Sequence, residues 1–126
     1  MPKLNSHGVY KMWAENQIIH IESSGPWNVE YFHELHKELF ELVTTINAKP
    51  YALLISIIGT GVPVKEGIEV HKEFVKLGNA SAVAIDISKC ATQSLTQKLF
   101  SDVYSSIHLN YKFCTTPKVY KFIVDI

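Results

Sequence analysis

The hydrophobic positions of this chain fall into short runs and helical stripes that follow one another in a regular order. Gly8 to Trp13 (GVYKMW) and Gln17 to Ser23 (QIIHIES) are two strand-like runs. The short polar joint Ala14-Glu15-Asn16 between them predicts an antiparallel hairpin, and Ser24-Gly25-Pro26 stops the second strand. A long helix follows, because Val29, Phe32, Leu35, Leu39, Leu42, Val43 and Ile46 share one face at helical spacing. Asn28 stands where an N-cap belongs, with Trp27 and Phe32 at the two positions of a hydrophobic staple. Asn47 and Pro50 close this helix.

Tyr51 to Ile58 (YALLISII) is continuously apolar apart from Ser56, as expected of a strand covered on both faces. The loop Gly59-Thr60-Gly61-Val62-Pro63 leads to a second helix from about Val64 to Leu77, ended by Gly78. Ala80 to Ile87 reads as another covered strand. A third helix over Thr92 to Ser106 turns Leu95, Leu99, Phe100, Val103 and Ile107 inward. Tyr111 to Cys114 is a short last strand, after which Thr116 and Pro117 open a final helix carrying Val119, Tyr120, Ile123 and Ile126. The order ββαβαβαβα defines an α/β fold: a five-stranded, mixed but mostly parallel sheet with about four helices and right-handed crossovers. With 126 residues, no repeat and no linker, all elements are expected to share one core in a single domain, 1–126.

Composition narrows the function classes. Twelve lysines balance twelve acidic residues and there is no arginine, so the basic surplus and the bidentate base reader of a nucleic-acid binder are missing. No apolar run is long enough to span a bilayer, and Met1-Pro-Lys-Leu-Asn-Ser-His lacks the apolar core of a signal peptide. Cys90 and Cys114 form neither a disulfide framework nor a CxxC site. These features predict a soluble, reduced, cytoplasmic protein without a cofactor.

The element order, the phrase Gly25-Pro26-Trp27-Asn28 before a long amphipathic helix, Lys49-Pro50-Tyr51-Ala52 leading into the central strand and the terminal TTPKVYKFI together resemble the SpoIIAA-like members of the STAS-domain superfamily. These are small bacterial proteins. The resemblance covers nearly the whole chain and rests on packing and turn residues. It implies an interaction or regulatory role rather than catalysis. In classical STAS anti-sigma-factor antagonists, the loop after the central strand carries an Asp-Ser-Ser-Gly type motif that a partner kinase phosphorylates. The matching loop here, Ile57-Ile58-Gly59-Thr60-Gly61, keeps Thr-Gly but neither the acidic residue nor the serines. Related folds have been compared with the CRAL-TRIO lipid-binding fold, which leaves an apolar ligand as an alternative.

Several individual residues admit both a functional and a purely structural role. His33 and His36, three apart on the first helix, have a metal-like spacing, but no HExxH pattern accompanies them and no metal site is expected. Both are placed on the polar flank of the helix, a solvated face. His71 falls among Gly67, Ile68, Phe74 and Val75, so it is either a core histidine bonded at both nitrogens or the wall of a cleft. His20 projects from one sheet face. Cys90 precedes a helix without the context of an activated thiol. Asp86 ends a parallel strand, where α/β sheets place functional carboxylates. Gly59, Thr60 and Gly61 form a flexible strand-to-helix loop that could receive an anion, although GxG alone is a weak signal. Trp27 could face a partner, but the staple already accounts for it. No GxSxG elbow or other catalytic set is present.

The leading expectation is a non-enzymatic interaction or regulatory module that presents the second helix and the Gly59–Val62 loop to a protein partner, a homodimer included. The alternative is a binder of an apolar or nucleotide-like small molecule in a cleft near Thr60, His71 and Asp86.

Overall fold

The structure, a computed structural model, describes residues 7–46, 51–78, 80–107 and 109–114. Its elements are β1 (Val9–Glu15), β2 (Ile18–Ser24), α1 (Val29–Ile46), β3 (Tyr51–Ile57), α2 (Lys65–Leu77), β4 (Ala80–Asp86), α3 (Gln93–Ser106) and β5 (Tyr111–Cys114). The strands lie in the order β1-β2-β3-β4-β5. β1 and β2 are antiparallel and every later pairing is parallel. The protein is thus an α/β fold on a five-stranded mixed sheet with three helices among the described residues. The expected helix after Pro117, and the closing residues Asn47 and Pro50, lie outside them.

Each crossover from β2 onward steps one strand in the same direction. Crossovers of one hand therefore deposit α1, α2 and α3 on the same face. The main core lies there, where Ile19, Ile21, Leu53, Ile57, Val83 and Ile85 of the strands meet Phe32, Leu35, Leu39, Phe100 and Val103 of the helices. Small residues dominate the other face, on which Ala52, Leu54, Ala84 and Cys114 form a separate buried cluster.

The hairpin turn falls later than expected. Ala14 and Glu15 remain in β1, and the turn is Asn16-Gln17, both with positive φ (53° and 66°). A two-residue turn of that hand matches the strand twist. Gln17 gives little sequence warning of it, because left-handed glutamine is uncommon.

Local capping reads as expected. Asn28 Oδ1 accepts the amide of Tyr31 at 3.0 Å and that of His7 at 2.9 Å. Trp27 and Phe32 meet edge to face, 6.2 Å between centroids. The Gly25–Pro26 peptide bond before them is cis. Gly78 closes α2 with φ −81°, so it serves as a terminator without the left-handed conformation expected of it.

Two helix faces differ from the expected ones. On α1, Tyr31 and His36 are buried beside Phe32, Leu35 and Leu39. On α3, Leu95 is 48% exposed while Thr96, Phe100, Val103 and Tyr104 point inward. Thr96 sets this rotation, since its hydroxyl donates to the carbonyl of Gly61 at 2.8 Å.

Gly67 allows α1 and α2 to approach. A Cβ at this position would stand 2.8 Å from two ring carbons of Phe32, itself buried against Trp27 and Tyr31. Overpacking costs about 1–3 kcal/mol, against about 1 kcal/mol of helix propensity gained. Gly67→Ala is therefore expected to lower unfolding stability by about 1 kcal/mol in a urea titration, although alanine is the better helix former.

Candidate functional site

The Gly59–Pro63 loop sits at the carboxyl end of β3 and is tied on both sides. Toward β2, Gly25 N donates to Thr60 O (2.7 Å), Trp27 N to Val62 O (3.1 Å) and Val64 N to Trp27 O (3.0 Å). Toward α3, Gly59 N donates to Lys89 O (3.0 Å), Ala91 N to Gly59 O (2.6 Å) and Gly61 N to Thr92 Oγ1 (2.9 Å). Gly59 adopts φ +77°, a conformation that suits glycine. The loop is thus a fixed junction. The amides of Gly59 and Gly61, which the sequence offered to an anion, already have partners within the protein.

Around this junction three apolar side chains remain exposed: Ile58 (40%), Val64 (44%) and Leu95 (48%). Trp27 is not among them. It is 3% exposed and packs against Tyr31, Phe32 and Phe100, so it supports the junction from inside and offers no partner-facing surface.

The chemically distinctive groups lie in the core, where the three helices converge. His36 Nε2 and His71 Nδ1 are 2.9 Å apart, and His71 Nε2 lies 2.9 Å from the Tyr104 hydroxyl. The chain crosses from α1 to α2 to α3, and all three residues are buried. It can be polarised in either direction with both rings neutral. The expected placement of His36 on a solvated flank is therefore corrected, while His33 is exposed. His71 is bonded at both nitrogens, the core arrangement considered for it. Phe74 stacks on His36 with 4.1 Å between centroids, and Phe32 and Phe100 flank His71 at 5.5 and 5.7 Å.

Burial holds both imidazoles neutral. His36 is lowered to about 3, first by desolvation and then by the neighbouring His71 and His33. His71 is lowered to about 4 by desolvation alone. Burial raises the Tyr104 phenol well above its usual value. Beside the histidines lies a cavity of about 50 Å³ between helices and sheet, lined by Leu35, Leu53, Phe74, Ser23, His36 and His71. Ser23 and Tyr31 hydroxyls bond to each other at its edge. The volume is a third of the roughly 150 Å³ that admits benzene, so the cavity is far too small for a nucleotide.

Asp86 lies elsewhere. Register puts it on the second sheet face, in a row with Glu22 and Ser56. Its Oδ1 accepts the amide of Ser88 at 2.9 Å, and a hollow of about 80 Å³ is lined by Asp86, Glu22 and Lys89. Thr60, His71 and Asp86 thus occupy three separate surroundings, because His71 faces the helix layer and Asp86 the opposite side of the sheet. Cys90 is buried, its Sγ 3.5 and 3.6 Å from the hydroxyls of Thr92 and Thr96. Cys114 is buried, which raises its thiol pKa. Among the described residues no three His, Cys, Asp or Glu side chains are grouped as metal ligands, and no helix is long and apolar enough to cross a membrane. No protein-family model, curated protein or solved structure matches the chain.

The three-residue chain makes stability depend on pH. Below about 6.5 the unfolded imidazoles take up protons that the folded His36 and His71 refuse until about pH 3–4. The unfolded state then binds more protons, so stability is full above pH 6.5 and falls as the pH drops, by about 1.4 kcal/mol per unit for each neutral ring. Urea titrations between pH 7 and 4 should show this decline. A His36→Leu/His71→Leu double variant should flatten it across that window.

Proposed function

We propose that the protein is an interaction or regulatory module of SpoIIAA-like, STAS-like type, and that it binds a protein partner through the junction formed by the Gly59–Val62 loop, the start of α2 and the first turn of α3. The observation that carries this reading is the exposure of Ile58, Val64 and Leu95 around a loop that is already ordered by its own hydrogen bonds. A preordered surface loses little conformational entropy on binding, and apolar side chains displayed on it gain by leaving water. Further support comes from the order ββαβαβαβ of the described elements and from the Gly25-Pro26-Trp27-Asn28 segment, which braces the loop. The groups best suited to acid–base chemistry, His36, His71 and Tyr104, are engaged with one another in the core.

The second reading, a small-molecule binder, moves from the Thr60–His71–Asp86 region to the core cavity. The apolar walls of that cavity favour a small apolar molecule over a nucleotide. Native mass spectrometry of protein isolated from its host separates the two readings, since a noncovalent mass on each chain would favour the ligand.

A photo-crosslinking side chain at position 64 tests the partner reading directly, with position 40 as control because Phe40 is 66% exposed on α1. Crosslinks to a defined partner from position 64, absent from position 40 and lost with Leu95→Asp, are expected. Leu95→Asp should leave stability within about 0.5 kcal/mol, as surface changes usually do. Equal capture from both positions, or none from position 64, would refute the proposed surface.

A further inference from the structure

We propose that two copies of this chain associate through the free edge of β1, antiparallel and in register about Trp13. This surface is separate from the loop junction.

Among the described residues β1 is the outer strand of the sheet and has β2 as its single strand neighbour. The backbone of β2 determines which β1 groups remain unbonded. Gln17 O and Ser23 O accept amides on the β3 side, from Ala52 (3.2 Å) and Ile58 (2.9 Å). Odd-numbered residues of β2 thus turn their main chain toward β3, and even-numbered ones toward β1. With Glu15 opposite Ile18, Trp13 opposite His20 and Lys11 opposite Glu22, the odd residues of β1 are the ones bonded to β2. The N–H and C=O groups of Tyr10, Met12 and Ala14 point outward, and none has a hydrogen-bond partner among the described residues. Such an edge is a template for another strand.

The side chains select the occupant and the register. Val9, Lys11, Trp13 and Glu15 project from one face of β1 and all are exposed, Val9 at 69% and Trp13 at 39%. Trp13 is already ordered, stacked on His20 with 5.0 Å between centroids and a 3° interplanar angle. With Trp13 on a two-fold axis, Trp13 faces its symmetry mate, Lys11 stands opposite Glu15, and Met12 stands opposite Ala14. Both symmetry-related ion pairs are formed at once. The free main-chain groups of Met12 and Ala14 then exchange N–H···O=C bonds, as an antiparallel ladder requires. A register centred on Lys11 sets lysine against lysine, and like charges directly opposite are destabilising. A register centred on Met12 leaves Lys11 and Glu15 without each other.

The acidic flank of α1 does not oppose this arrangement. Tyr10 carries it, with its hydroxyl at the Glu34 carbonyl and Glu38 and Glu41 close by. In the Trp13-centred register the two Tyr10 residues are about 20 Å apart along the strands, beyond the screening length of about 8–10 Å.

Sedimentation equilibrium of the unaltered protein from micromolar to millimolar concentration is the first measurement, and a reversible monomer–dimer equilibrium is expected. Lys11→Glu should weaken it about tenfold, the charge-swapped pair Lys11→Glu/Glu15→Lys should restore it, and Trp13→Cys should form a disulfide-linked dimer that Lys11→Cys does not. All three positions changed are exposed, and circular dichroism checks that each variant is folded. A monomer at every concentration overturns the proposal. So does a dimer indifferent to Lys11→Glu, a charge swap that fails to restore association, or crosslinking from position 11 in preference to position 13.

Discussion

Because β2, β3, β4 and β5 succeed one another in space as they do in sequence, crossovers of one hand put all three described helices on one face of the sheet. The remaining organisation follows from that constraint. α2 lies between α1 and α3, so its inward residues must satisfy two helices and a sheet together. Gly67 yields to the Phe32 ring, and His71 reaches His36 on one side and Tyr104 on the other. A polar residue in that position would be costly if unpaired, because a buried donor or acceptor without a partner loses its hydration for nothing. Bonded at both nitrogens, it ties the helices in one arrangement, with aromatic rings filling the space around it.

The same topology explains why the chemically suggestive residues do not assemble. Parallel strands bring their carboxyl ends together, so Ile58, Thr60 and Asp86 all lie toward one end of the sheet. Strand alternation nevertheless sends Asp86 to the face opposite His71. The Gly59–Val62 loop is drawn into backbone bonds with the Gly25–Trp27 segment and with the residues before α3. Ile58, Val64 and Leu95 remain exposed around that junction. At the β1 edge of the sheet, the outward main-chain groups of Tyr10, Met12 and Ala14 have no hydrogen-bond partner among the described residues. Its alternating charged and aromatic side chains bear on what can pair there.

Much of this was legible in the chain. The succession of strands and helices, the cap at Asn28 and the staple of Trp27 on Phe32 are local matters, decided by residues a few positions apart. The helix faces were legible only in part. Leu95 belongs to the apolar stripe by spacing, yet Thr96 turns inward because its hydroxyl meets the Gly61 carbonyl, a contact between residues 35 positions apart. His36 likewise looks solvated by spacing and is buried because His71 is there to bond it.

The sequence by itself determined the α/β alternation, the hairpin, the starts of the three described helices and the double reading of His71, because periodicity, capping and turn chemistry act over a few residues. Tertiary structure alone decided the rotation of α3, the burial of His36 and the separation of Thr60, His71 and Asp86. Those depend on which groups far apart in the chain meet at hydrogen-bonding distance, and no local pattern encodes that meeting.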